Sequence, residues 1–225
     1  MATEARRKMA SVLVGVYGAS GFGREVMPLV VRQLGDQSDT RFVFVDDAPP
    51  SDSLNGYPVL TYAQFLGADA DTRQVVLAIA NSTVREKLVS RCSSDGVQVL
   101  SVSADNVVVL DEVAVGEGAI LCHFVQLTSN ISIGKQFHAN IYSYVAHDCV
   151  IGDYVTFAPG VRCNGNIHIH DHAYIGTGAI IKQGTPDKPL VIGKGAVVGM
   201  GAVVTKDVPP GVTVVGNPAK PLVRS

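Results

Sequence analysis

The chain has 225 residues, 47% of them apolar and 17% charged, which is ample for packed cores and excludes intrinsic disorder. Eighteen Lys and Arg nearly balance 20 Asp and Glu, Trp is absent, and aromatic residues are only 6%. That balance argues against nucleic acid or an anionic membrane as the main partner. No apolar run approaches the ~18 residues of a membrane span, so no membrane insertion is expected.

The first residues carry Arg6-Arg7-Lys8 ahead of the apolar stretch Met9–Val16. Gly15 and Gly18 break that stretch, so it reads as a short disordered leader and a first strand rather than a signal peptide. Ser11–Tyr17 is the strand, Gly18-Ala19-Ser20-Gly21-Phe22-Gly23 a turn, and Arg24–Leu34 a helix. Arg41–Val45 is a second strand ending in Asp46-Asp47, and Thr61–Leu66 a short helix. Gln74–Ala80 is a third strand; Asn81 or Ser82 caps a helix to about Ser94, and Val97–Val102 is a further strand. Strands alternating with helices predict a parallel sheet with crossovers.

The glycine turn runs G-x-x-G-x-G and does not match the dinucleotide order G-x-G-x-x-G. Its position still suits an anion, because backbone N–H groups converge where a strand enters a helix. Asp46 and Asp47 end the neighbouring strand, where carboxylates can accept from ribose hydroxyls or an amine. The plain alternative is a tight turn with acidic loop residues.

From Asn106 the chain divides into sixes, thirteen without a break through Gln183. The fourth position is apolar in all thirteen and the second in twelve, Ser143 being the exception. The sixth is mostly polar, Gly or Pro, so two residues face in and then the chain turns a corner. This predicts a parallel β-helix with three hexads per coil, in which residues 18 apart stack on one edge. A five-residue insertion, Gly184–Lys188, interrupts the repeat before it resumes at Pro189.

Cys92, Cys122, Cys149 and Cys163 have no CxxC spacing, so neither a disulfide framework nor a zinc cage is expected and the cytoplasm is the expected compartment. Cys149 and Cys163 stand at inward positions and read as core. His123, His138, His168, His170 and His172 avoid the inward positions and read as solvated surface. The sharper alternative, zinc held by His168, His170 and His172, is set aside, and no metal is expected.

The repeat ends in Thr205-Lys206-Asp207-Val208-Pro209-Pro210-Gly211, with Gly216-Asn217-Pro218-Ala219-Lys220 beyond. With the Gly18–Glu25 turn and Asp46-Asp47, this resembles the bacterial nucleotide-sugar acetyltransferases, over about Val12 to Lys220. The resemblance implies a Rossmann-like α/β domain over residues 1–103 and a left-handed parallel β-helix with a C-terminal tail over 104–225. It implies acetyl-CoA-dependent N-acetylation of a nucleotide-linked amino sugar in surface-glycan biosynthesis, O-antigen among them. Alternatives are O-acetylation of a sugar hydroxyl and a non-catalytic β-helix trimer that binds a nucleotide sugar. His147 is implied as general base and Asp148 as the residue that orients it. A histidine suits proton removal from an amine because it exchanges its proton near neutral pH. Both side chains can project outward because they straddle a corner, and Gly165, one coil on, leaves room for a pantetheine arm. The implied coenzyme contacts are Thr156, Gly165, Thr177 and Met200, and the implied nucleotide-sugar contacts are Ser20, Gly21, Phe22, Asp46, Asp47 and Ala80. Phe22 and Thr156 stand where histidines are found in relatives, and Met200 where a glycine is found. A homotrimer with the coenzyme in the groove between neighbouring β-helices is expected, its apolar contacts including Ile141, Tyr142 and Tyr144.

Overall fold

A computed structural model describes residues 11–35 and 39–222, so the expected leader lies outside the described residues. The chain divides into two compact units. One takes the described residues up to Ala78 together with Val89–Val99; the other takes Ile79–Leu88 and Leu100 onward.

In the first unit, β1 (Val12–Tyr17) is followed by α1 (Gly21–Leu34), β2 (Thr40–Val45), the short strands β3 (Ser53–Leu54) and β4 (Tyr57–Leu60), and α2 (Tyr62–Gly67). Then come β5 (Thr72–Leu77), α3 (Ser82–Ser94), whose last turns belong here, and β6 (Gln98–Val99). The sheet order is β3-β4-β2-β1-β5-β6, parallel except for the β3–β4 pair. β1 is central, which explains its continuous apolar run: Leu13, Val14, Val16 and Tyr17 are all buried. Helix α1 starts three residues earlier than expected, at Gly21, because Ser20 holds the extended backbone of an N-cap and the turn itself feeds the helix. Thr61 and Gln64 form a reciprocal capping box on α2.

The second unit is a parallel β-helix, and its coil is left-handed. Its first face stacks Val102–Ser103, Ile120–Leu121, His138–Ala139, Thr156–Phe157, Tyr174–Ile175, Val197–Val198 and Thr213–Val215. The second runs from Val108–Val109 to Val203–Val204 and the third from Val113–Val115 to Leu190–Ile192. The expected strand Val97–Val102 is split: Gln98–Val99 joins the flat sheet, whereas Val102–Ser103 pairs with Ile120–Leu121 and opens the β-helix. Partners are 18 residues apart, as in Ile120↔His138. The offset becomes 23, as in Ile167↔Leu190, where the insertion closes on itself through paired Thr185–Lys188 hydrogen bonds.

The inward positions build one column of buried side chains from Leu121 to Val214. Val109 and Val115, at the same hexad position, are 49% and 37% exposed because they occupy the terminal strands of the second and third faces. Ser143, the polar exception, is buried and fully used: its hydroxyl donates to the Ala158 carbonyl and accepts from the Val161 N–H, both at 3.1 Å. Cys149 and Cys163 are buried, as their inward positions predicted.

Corners have one construction. The first residue of every hexad from Glu112 to Gly178 has a positive φ near 60–70°. Glycine takes that place at Gly118, Gly160 and Gly178; elsewhere Glu, Phe, Asn, Gln, Tyr, Asp or His does. The left-handed conformation costs a non-glycine residue ~1–2 kcal/mol. From Asn130 to His172 each such corner recovers a backbone hydrogen bond to the coil before it, as from Tyr154 N–H to the Lys135 carbonyl at 2.8 Å.

Candidate active site

Asp148 is one of these corner residues, with φ +58°. Its N–H donates to the Ser129 carbonyl, and the Asn166 N–H donates to the His147 carbonyl, so the backbone on both sides of the corner is fixed. The left-handed turn between a sixth and a first position lets two consecutive side chains leave on the same side. His147 Nδ1 and Asp148 Oδ2 meet at 2.7 Å, with both side chains about half exposed at 48% and 46%. A carboxylate on Nδ1 favours the tautomer with hydrogen there, which leaves Nε2 as an acceptor open to a substrate.

Gly165 lies beneath the ring. A Cβ there would sit 2.5 Å from His147 Cε1 and Nε2, so the glycine seats the imidazole. This corrects the expectation that Gly165 leaves space for a pantetheine arm: the vacancy is filled by His147 itself. On the same face edge, Tyr144 donates to Asn164 Oδ1 at 2.8 Å and Asn164 donates to the Ile181 carbonyl at 2.7 Å. The Tyr144 hydroxyl is thus engaged within its own chain.

The implied coenzyme residues separate. Thr177 and Met200 stack on the corner between the first and second faces, because Gly201 N–H donates to the Thr177 carbonyl; both are exposed, Met200 at 81%. His147 and Gly165 occupy the next corner, between the second and third faces. Thr156 belongs to neither. It is buried on the first face, and its hydroxyl accepts from Arg85 Nη2 at 3.1 Å. With Ala80 it lines a pocket of about 360 Å³, which also includes His172 and Tyr174.

Two histidines depart from the surface reading. His138 is fully buried, on the same covered face as Thr156. The His172 side chain is 15% exposed, stacks on Tyr154 with ring centroids 5.2 Å apart, and has Nε2 3.6 Å from Glu86. His123 and His170 are exposed. Among the described residues, no three His, Cys, Asp or Glu side chains are grouped to hold a metal ion.

In the first unit, the glycine turn and the end of β2 meet. Gly18 has φ +110°, and a Cβ on Gly23 would lie 1.8 Å from the Gly18 carbonyl oxygen, so both glycines are obligatory. Asp46 accepts from Ala19 N–H through Oδ2 and from Ala48 N–H through Oδ1, both at 3.0 Å. Its first task is to staple the strand end to the turn, which restricts the free-carboxylate role expected of it. Asp47 accepts from the Tyr17 hydroxyl at 2.8 Å and lies 3.4 Å from Arg91. Burial, reinforced by Asp47, pushes the Tyr17 hydroxyl well above its usual pKa and keeps it a donor. Ser20 and Gly21 are exposed at the start of α1, and the Ser20 side chain makes no cap hydrogen bond. Phe22 is half-buried.

A turn-and-sheet unit joined to a hexapeptide β-helix with an exposed His–Asp pair defines a class, the hexapeptide acyltransferases. Residues 14–92 match the PglD N-terminal domain and residues 130–165 the bacterial transferase hexapeptide (six repeats). GDP-perosamine N-acetyltransferase of Escherichia coli O157:H7 is 50% identical over 95% of this chain and 97% of its own. WeeI from Acinetobacter baumannii AYE is 69% identical, with a TM-score of 0.92 over 94% of this chain and all of that one. The acetyltransferase domain of PglB from Neisseria gonorrhoeae FA1090, in complex with acetyl coenzyme A, is 28% identical, with a TM-score of 0.83 over 95% and 100% of the two chains. The chain belongs to the PglD- and PerB-like family of nucleotide-sugar acetyltransferases.

Proposed function

We propose that this chain transfers the acetyl group of acetyl-CoA to the amino group of a nucleotide-linked amino sugar, GDP-perosamine being the first candidate. The relative that shares half its residues over nearly its whole length carries that activity in its name. The observation that carries the reading is the His147–Asp148 pair seated on Gly165 and half open to solvent.

In this reading Nε2 of His147 takes a proton from the amine as nitrogen bonds to the acetyl carbonyl carbon and the carbon–sulfur bond breaks. The sulfur leaves as the thiol, receiving that proton back from His147. Asp148 holds the ring and offsets the positive charge it gains. A thioester is activated enough that no covalent intermediate on the protein is required. The turn at Ser20, Gly21 and Phe22 with Asp46 and Asp47 contacts the acceptor, as does Ala80; Thr177 and Met200 contact the coenzyme.

The two corners support a homotrimer. His147 and Gly165 stand on one edge of the β-helix and Thr177 and Met200 on the next, so a groove between copies joins what one copy separates. Tyr142 at 62% exposure, stacked on Phe124 with centroids 4.8 Å apart, and Ile141 at 40% supply apolar surface for such a contact. The cytoplasm is the compartment this reading proposes.

The test is thiol release from acetyl-CoA with GDP-perosamine, with UDP- and dTDP-linked amino sugars, and with a GDP-sugar bearing hydroxyl in place of amine. Release with an amino sugar and an N-acetylated product by mass spectrometry is expected. Acetylation of the hydroxyl sugar alone, or release with none, overturns the reading.

A further inference from the structure

Arg85 lies in the first turn of α3. It is fully buried. Its Nη1 donates to the carbonyls of Ile79 at 2.6 Å and Ala80 at 3.3 Å. Its Nη2 donates to the Tyr154 carbonyl at 2.8 Å and to Thr156 Oγ1 at 3.1 Å. All four acceptors are neutral. Burial lowers the guanidinium's pKa to about 10, with the nearby Tyr154 acting weakly the other way. A charge taken from water without a carboxylate is a poor way to gain stability, and an apolar residue of similar length would fill the space at lower cost. What the guanidinium supplies is geometry. Its planar fork reads two backbone segments at once, which neither an apolar chain nor an ammonium does.

The segment it grips is the stretch Ile79–Ala80, just before α3. Asn81, the next residue, caps α3: its Oδ1 accepts from the N–H groups of Thr83 and Val84 at 3.1 and 3.0 Å. Ala80–Thr83 form one wall of the 360 Å³ pocket whose opposite wall includes Thr156, His172 and Tyr174. The distance between these walls is therefore set by Arg85.

We propose that Arg85 is a positioning residue for the acceptor: it holds Ala80 at a fixed spacing from the first face of the β-helix, and so sets the affinity for the nucleotide sugar. This rests on the reading of Ala80 as an acceptor contact. His147 stands on a different edge, so Arg85 acts on acceptor binding and not on the chemical step.

The experiment is steady-state kinetics of the full chain with each substrate varied, for wild type, Arg85→Lys, Arg85→Met and Asn81→Ala, corrected for folded fraction. Arg85→Met should raise KM for the nucleotide amino sugar roughly tenfold, with kcat and KM for acetyl-CoA within about twofold of wild type. Arg85→Lys should recover part of that loss, because an ammonium reaches some of the same carbonyls without spanning both segments. Asn81→Ala should raise the same KM about threefold, and it gives the answer if the Arg85 variants do not fold. A lowered Tm with an unchanged acceptor KM, or equal changes in the KM of both substrates, overturns the proposal and leaves Arg85 a structural residue. If wild type acetylates no amino sugar, the functional reading itself has failed, which these variants cannot mimic.

Discussion

Asp46 and Asp148 are both carboxylates beside a turn, yet the chain employs them differently. Asp46 gives both oxygens to backbone N–H groups, one of them in the glycine turn, and keeps β2 and that turn in register. Asp148 makes its backbone bond through its own N–H and so leaves its carboxylate for a side chain, His147. The difference comes from how each fold makes its corner. A strand-to-helix turn leaves amide donors that something must satisfy, and a nearby aspartate does so. A β-helix corner satisfies its amides from the coil before, so a polar side chain there is at liberty to serve chemistry. The glycines divide in the same way: Gly23 makes room for backbone, Gly165 for the His147 ring.

The sharpest way to break that comparison is to add one methyl group in each place. Gly23→Ala drives a Cβ to 1.8 Å from a carbonyl oxygen that belongs to a tight turn and cannot yield. A loss of ~3 kcal/mol or more is expected, visible in denaturant titration as a collapse of the first unit. Gly165→Ala drives a Cβ to 2.5 Å from a ring that can rotate away. Its stability should hold while kcat falls by roughly 10²-fold, the cost of displacing a catalytic group by about an ångström. If Gly165→Ala unfolds the chain and keeps its specific activity, the assignment of that glycine to the ring is wrong.

Asp148→Asn should be milder, roughly a tenfold loss in kcat, because the pair is half exposed and solvent screens it. The asparagine oxygen can still accept from Nδ1–H, but a neutral amide does not offset the charge the ring gains. The Asp148→Asn loss exceeding that of Gly165→Ala would make charge, not placement, the main function of the carboxylate.

The smallest effect belongs to a corner without chemistry. Asp171 is raised by burial, but the Asp153 N–H it accepts and Lys194 beside it outweigh that and hold its carboxyl below the usual value. A carboxylate with a depressed folded-state pKa contributes stability above its unfolded pKa and loses it as pH falls through the folded one. Asp171→Asn should therefore melt slightly lower than wild type at neutral pH, with the gap closing in strong acid and kcat unchanged. A gap that persists in acid would assign the loss to packing instead of charge.

Much of the β-helix was legible because each coil repeats one demand. Val125, Phe137, Val155 and Ile167 had to be apolar, and an 18-residue register followed from counting. The corners themselves carried no local mark: Phe124, Gln136, Tyr142, Tyr154 and His172 all adopt a backbone usually left to glycine or asparagine, and stacking alone holds them there. His147 and Asp148 were found through resemblance, and the hexad boundary explained why consecutive residues can meet. The burial of Arg85, His138 and Thr156 was not legible, because it comes from packing on one face, to which sequence periodicity is blind.

The central claim is that His147 is a base held for chemistry and not a corner residue held for structure. It is tested by measuring kcat, acetyl-CoA affinity and Tm together for His147→Ala with GDP-perosamine as acceptor. A fall in kcat of roughly 10²–10⁴-fold is expected, the usual contribution of a general base, with coenzyme affinity and Tm close to wild type. A well-folded His147→Ala protein that turns over at a near-normal rate would contradict the account.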